Sequence, residues 1–315
     1  MRALLFDNNE ARVAEVAEPQ ACDESVLVRV SLAGVCNTDL EIVNGYMQFS
    51  GILGHEFVGR VEAGPPEWRG QRVVGEINFA CRSCPICAQG LHRHCPSRAV
   101  MGMLDADGAF AELVRLPVTN LHPVPDSVAD EIAVFTEPLA AAFEILEQTQ
   151  IEPGSRCVVL GDGKLGLLVA QVMHQAGASV LAVGKHPEKL AILGKRGIAT
   201  ALASEWNGEL ASLVVEATGT ADGFARAVAA TRPRGTLVLK STVCERPSLD
   251  LSPIVTDEIR VLGSRCGPFP PALRALETGS VDVGSLISHR VALDDAIEGL
   301  RKASQPGALK VLIEP

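Results

Sequence analysis

Four cysteines, Cys81, Cys84, Cys87 and Cys95, fall within fifteen residues of a 315-residue chain. Their two-residue gaps let one loop wrap an ion, and four thiolates can close a tetrahedral cage around Zn²⁺. Such a cage leaves no coordination position open, so its role would be structural. Two disulfides are the first alternative, disfavoured in a reducing compartment. An iron–sulfur cluster is the second: Cys95-Pro96 resembles the end of a ferredoxin run, but the seven-residue gap before it does not fit. A second stretch with chemical potential reads Gly161-x-Gly163-x-x-Gly166. Gly161 permits a tight turn, Gly163 lets backbone approach a pyrophosphate, and Gly166 lets helix and strand pack closely. Gly161, Gly163, Lys164, Leu165 and Gly166 would then line the phosphates at a helix N-terminus.

That glycine turn is informative because of what flanks it. A β-branched run from Cys157 to Leu160 precedes it, and a second, Val180 to Val183, follows a helical pattern with Leu165, Leu168, Val169, Val172 and Met173 on one face. Strand, turn, helix and strand make the first unit of a parallel sheet. Helix and strand patterns alternate beyond it, giving an α/β, doubly wound Rossmann region over about 151–280. Residues 1–150 read as mainly antiparallel β, with Thr38 a candidate N-cap of a short helix. The tail 281–315 reads strand, helix, strand, and periodicity alone does not assign it to either part.

Composition narrows the partners. The net charge is −10 with no long basic run, which argues against nucleic acid or an anionic membrane. No apolar stretch approaches the roughly 18 residues of a membrane helix. The N-terminus turns acidic too early for a signal peptide, so a cytoplasmic location is expected. Of nine cysteines, Cys22, Cys157, Cys244 and Cys266 are expected to pack as small hydrophobes. Tyr46, Met47, Phe49 and Ile77 are candidate walls of a substrate pocket, or ordinary core.

Several motifs then occur in a telling order: Cys36-x-Thr38-Asp39, Gly54-His55-Glu56, the four-cysteine lobe, Glu137-Pro138-Leu139 and the glycine turn. In this the chain resembles the zinc-containing medium-chain alcohol and polyol dehydrogenases over nearly its whole length. The resemblance implies a GroES-like β-rich catalytic domain over 1–150 with a structural zinc lobe at about 78–97. It also implies that 281–315 returns to the catalytic domain after the Rossmann domain. Cys36 and His55 look like catalytic zinc ligands, Thr38 like the hydroxyl that takes the substrate proton, and Asp39 like the partner that orients His55. Typical alcohol dehydrogenases carry a third cysteine ligand; Glu137 stands there, as in sorbitol- and glucose-dehydrogenase-like members. Glu56, beside the metal, is the other candidate for that third place. Glu41 stands where many members place a relay histidine. Lys310 matches a basic position near the pyrophosphate.

The end of the second Rossmann strand bears on the coenzyme. NAD enzymes place Asp or Glu there for the ribose 2′-hydroxyl. This chain has Gly184-Lys185-His186, with Lys189 one turn on. No carboxylate repels a 2′-phosphate and Lys185 attracts one, so NADP(H) is expected over NAD(H). Glu216 ends a later strand, nearer the nicotinamide. The expected activity is zinc-dependent hydride transfer between an alcohol or polyol, or its carbonyl counterpart, and NADP(H), with two zinc ions per chain. A dimer or tetramer is implied. The alternatives are an NAD-dependent polyol dehydrogenase or a catalytically retired nucleotide sensor on this fold.

Overall fold

A computed structural model describes residues 1–22, 24–241 and 249–315, so Cys244 lies outside the described residues. The chain packs as two units. The first comprises Met1–Glu137, Ala272–Thr278 and Leu286–Pro315; the second comprises Pro138–Pro271 and Gly279–Ser285. The helix Thr136–Gln148 carries the boundary, with Glu137 its last residue in the first unit.

In the first unit the strand Ser25–Gly34 is the axis of a seven-stranded sheet. One face, Val26, Val28, Val30 and Leu32, is wholly covered; on the other, Arg29 and Ser31 are exposed while Leu27 and Ala33 are covered. Glu56–Ala63 runs antiparallel beside it in a register that sets Gly34 opposite Glu56 and Ala33 opposite Phe57. On its other edge Lys310–Glu314 pairs antiparallel, Leu312 opposite Gly34 and Ile313 opposite Ala33. The sequence after Gly34 therefore emerges with His55 and Glu56 on one flank and Lys310 on the other. The tail forms the strand Ile287–Ala292, the helix Ala296–Ala303 and the strand Lys310–Glu314, and it adds two strands to this sheet. The cysteine lobe hangs from a small sheet of Asn78–Phe79, Ala99–Met101 and Asp105–Ala106.

Among the described residues the second unit holds six parallel strands. Their spatial order is Ala199–Leu202, Ser179–Gly184, Arg156–Leu160, Ala211–Glu216, Thr231–Leu239 and Arg260–Gly263. In chain order that is 3-2-1-4-5-6, the Rossmann arrangement. Val158, Leu160, Val183, Val214 and Leu237 form its core. The helix Lys164–Gln175 follows the first strand. Leu165 stays half-buried, whereas every residue from Gly166 to Met173 is covered, so this helix is buried nearly all round rather than along one stripe. At about 1.5–3 kcal/mol per large apolar side chain, that burial fixes the helix firmly against the sheet. Its one buried polar side chain, Gln171, is satisfied by the Asp282 backbone: it accepts from the amide at 2.7 Å and donates to the carbonyl at 3.0 Å.

Candidate catalytic and structural metal sites

Cys36 follows the central strand and is itself the N-cap of the helix Asn37–Val43, the place that the sequence suggested for Thr38. The Cys36 amide donates to Asp39 Oδ2 at 2.8 Å. Asp39, fully buried, spends its other oxygen on His55 Nδ1 at 3.2 Å. One carboxylate thus fixes both the cysteine's backbone and the imidazole's tautomer, which leaves His55 Nε2 for a ligand. Burial opposes a charge on His55, yet Asp39 and then Cys36 outweigh it and raise its pKa well above the usual value. A place that favours a positive charge between the Cys36 sulfur and the Asp39 carboxylate can hold a metal cation instead. Thr38 Oγ1 lies 3.8 Å from Cys36 Sγ.

The ligand atoms of Cys36, His55 and Glu56 lie within 4.8 Å of one another. Glu56 is completely buried and ion-paired with Lys310 through Oε2, while its Oε1 has no hydrogen-bond partner. A buried orphan oxygen beside a cysteine sulfur and an imidazole nitrogen is what a cation would satisfy. Glu137, half-buried in the first turn of its helix, is not part of this trio.

Lys310 differs from expectation. The sequence placed it near a pyrophosphate; the structure buries it completely, with Nζ on Glu56 and within 3.4 Å of the Val35 carbonyl. The ammonium also lies 5.5 Å from the Phe135 ring centroid. The physical reason is the strand register, which, with Leu312 opposite Gly34, carries Lys310 just past the end of the central strand and beside Val35. Gly34 makes the pairing feasible: a Cβ there would come within 2.6 Å of Glu56 Oε2 and 3.3 Å of Lys310 Cδ. A lysine within an apolar run, as in Ala308-Leu309-Lys310-Val311-Leu312, was the signal that a buried acid could face it.

The other cluster is compact. Cys95 Sγ lies 3.5 Å from Cys81 Sγ and 3.9 Å from Cys84 Sγ, and all four sulfurs lie within 4.8 Å of one another. Four thiolates at the Zn–S distance of about 2.3 Å stand roughly 3.8 Å apart, so the donor set fits zinc. All four are free cysteines, which excludes the two disulfides. Hydrogen bonds from Ser83 pull the Cys81 thiol down to about 6, and burial pushes Cys87 up to about 12. Among the remaining cysteines Cys157 is buried as expected, Cys266 is half-buried, and Cys22 is exposed with its sulfur 3.1 Å from Ser25 Oγ. Cys22 therefore does not pack as a hydrophobe; it follows a loop, not a strand. Of the suggested pocket walls, Ile77 is core, Met47 is exposed, and Tyr46 and Phe49 are half-buried.

In the second unit the glycine turn has the expected form. Gly161 takes a positive φ of 116°, Gly163 caps the helix with open space around it, and Gly166 sits tight against the Gly161 carbonyl. Glu216 is turned into its own loop, accepting from the Thr218 and Gly219 amides at 2.6 and 3.1 Å. Lys185 is exposed, and Lys189 is buried in the next helix. A residue missed by sequence reasoning is Asp162. Its Oδ2 accepts from the Lys185 amide at 2.7 Å, the His186 amide at 2.6 Å and His186 Nδ1 at 3.0 Å. NADP(H) was expected because Gly184 leaves no carboxylate at the end of the second strand; Asp162 supplies one there from the glycine turn.

Comparison with known proteins agrees with this architecture. Residues 22–126 match the alcohol dehydrogenase GroES-like domain and residues 165–278 the zinc-binding dehydrogenase domain, together more than half of the chain. The chain is 29% identical to D-arabinitol dehydrogenase 1 of Uromyces fabae, over 100% of this chain and 97% of that one. Its fold superposes with a TM-score of 0.91 on an alcohol dehydrogenase from Thermus sp. at 30% identity, covering 100% of both chains. It superposes with a TM-score of 0.92 on a Sinorhizobium meliloti protein described as a zinc-binding dehydrogenase and solved with NADP, at 27% identity over 100% and 99% of the two chains. With a Rossmann sheet, a GroES-like domain and two compact sets of side chains that could hold a metal ion, this chain belongs to the zinc-type medium-chain alcohol and polyol dehydrogenases.

Proposed function

We propose that this chain oxidises a secondary or primary hydroxyl of an alcohol or polyol, or runs the reverse reduction, with a nicotinamide dinucleotide and zinc. The observation that carries the reading is the buried trio Cys36, His55 and Glu56, with Glu56 Oε1 unpartnered. Cys36 and His55 would hold the catalytic zinc, with Glu56 or Glu137 as third ligand, and Cys81, Cys84, Cys87 and Cys95 would hold the structural one. When bound, zinc supplies a Lewis acid that lowers the pKa of the substrate hydroxyl. Asp39 holds His55 in the tautomer that leaves Nε2 as the donor and ties down the start of the Cys36 helix. Thr38, its hydroxyl beside Cys36 Sγ, accepts the substrate proton and passes it outward. Lys310 neutralises Glu56 and keeps the buried site from carrying an uncompensated second carboxylate.

The dinucleotide would lie on the Gly161–Gly166 turn at the helix N-terminus and accept the hydride. Lys185 favours a 2′-phosphate there and the Asp162 carboxylate opposes it. A polyol substrate is favoured by the glutamate at position 137 and by relatives named for arabinitol, sorbitol and erythritol/L-threitol. Self-association is proposed through the edge strand Arg260–Gly263, where Val261 is 37% exposed, with Val255 of the preceding helix Ser252–Thr256 75% exposed. The test is a panel of polyols and simple alcohols assayed with NAD⁺ and NADP⁺, wild type beside Cys36→Ala. Turnover in the wild type, lost in the variant, supports the reading; no turnover across the panel favours the sensor alternative.

A further inference from the structure

The carboxylate that dinucleotide enzymes of this fold use to read the adenosine ribose stands at the end of the second strand, about twenty residues past the glycine turn. Here that position is Gly184, the last residue of Ser179–Gly184. Its space is not empty. A Cβ built on Gly184 would come within 2.4 Å of Asp162 Cβ, 2.5 Å of Oδ2 and 2.6 Å of Cγ. Any side chain at 184 and the side chain of Asp162 claim the same volume, so the glycine is the consequence of the aspartate.

Asp162 is also held rigidly. Its side chain is only 10% exposed, and three donors converge on one oxygen, Oδ2. Oδ1 is left as the acceptor. Because a carboxylate of this kind only accepts, His186 Nδ1 carries the hydrogen of that contact. A carboxylate fixed in this way, with Oδ1 left to accept, suits a ribose diol and not a phosphate. Against it stands Lys185, whose side chain is exposed and screened by solvent.

We infer that Asp162, reaching from the glycine turn into the space above Gly184, accepts the adenosine-ribose 2′-hydroxyl and selects NAD(H) over NADP(H). The inference rests on the dinucleotide reading proposed above and reverses the coenzyme expected from Gly184 and Lys185 alone. It also explains why introducing an acid at 184 by itself is the wrong way to favour NADH: the place is already filled.

Direct binding tests this without turnover. Dissociation constants for NADH and NADPH are measured by coenzyme fluorescence on the full chain, for the wild type, Asp162→Asn and the double variant Asp162→Ser/Gly184→Asp. The wild type should bind NADH at least tenfold more tightly than NADPH. Asp162→Asn keeps an acceptor for the turn amides but loses the charge; NADH affinity should fall about 10- to 100-fold, the range for a charge-assisted hydrogen bond, while NADPH affinity rises. The double variant moves the carboxylate to the usual position and should restore the NADH preference. A wild type that prefers NADPH overturns the inference. So does an Asp162→Asn variant that weakens both coenzymes by the same factor, which is the signature of a turn staple. If the wild type binds neither coenzyme, the dinucleotide reading itself falls, an outcome distinct from either.

Discussion

Removing the charge of Lys310 tests how the buried Cys36, His55 and Glu56 cluster, the proposed catalytic site, is balanced. Lys310 and Glu56 have side chains only 1% exposed, and the ammonium is the cation paired with that carboxylate. Lys310→Met keeps most of the stem volume but leaves a buried anion beside Cys36 and Asp39. Breaking one side of such a pair costs about 3–5 kcal/mol, because the remaining charge is neither solvated nor paired. Glu56→Gln should cost a similar amount for the same reason in reverse. The double variant removes both charges and should cost at least about 2 kcal/mol less than the two singles added together. The assay is urea unfolding of chelator-treated protein, followed by circular dichroism. Trp68 fluorescence in a Trp206→Phe background would report the unit that holds the pair. Added Zn²⁺ should stabilise Lys310→Met more than the wild type, since a metal cation partly replaces the missing ammonium. Singles that add to within about 0.5 kcal/mol of the double would refute the coupling, and with it the role given to Lys310.

Three other outcomes follow from the geometry. Gly34→Ala puts a methyl group 2.6 Å from Glu56 Oε2 and should cost about 1–3 kcal/mol of stability in unfolding experiments, with weaker metal retention measured by competition with a chromophoric chelator. Glu137→Ala should lower catalytic zinc occupancy and activity while the structural ion stays, and Glu56→Ala should keep most of the zinc and slow turnover; metal analysis showing zinc lost only in Glu56→Ala would assign the third ligand to Glu56 alone. Glu76 concerns pH: burial raises its pKa, but His122 at 3.1 Å and Arg93 at 3.5 Å outweigh burial and hold it below the usual carboxylate range. A depressed folded pKa contributes stability that is complete above the unfolded value and is lost as pH falls through the folded one. Glu76→Gln should therefore cost about 1 kcal/mol at pH 7 and nothing in strong acid, as read from denaturation midpoints across pH.

What the sequence disclosed was what lies close in sequence. The four cysteines, the glycine turn and the alternation of helix and strand patterns are each set by residues within about thirty positions, and spacing alone is enough to read them. Pairings that depend on strand register were hidden. Lys310 and Glu56 are 254 residues apart, and nothing local says that the last strand lies alongside Gly34 with Lys310 facing inward. Asp162 shows a different limit. Its neighbours in sequence, Gly161 and Gly163, drew attention to the phosphates, while its side chain acts at the next strand's end. A glycine where an acid is expected should prompt a search for the side chain that occupies its space. Cys36 illustrates a third: Thr38 has the better capping chemistry, but the helix begins earlier because Asp39 ties back to the Cys36 amide.

The central claim is that Cys36, His55 and a glutamate hold a zinc ion on which turnover depends, separate from the four-cysteine ion. It is tested most directly by measuring zinc content and alcohol-dependent coenzyme reduction on the same samples through mild chelation and zinc readdition, in the wild type, Cys36→Ala and Cys84→Ala. The wild type should start with two zinc ions per chain, lose one together with its activity, and regain both on adding Zn²⁺. Cys36→Ala should hold one ion and show no activity, and Cys84→Ala should lose the other ion together with much of its stability. Turnover that persists undiminished after the first ion is gone, or a chain that holds a single ion throughout, would contradict the account.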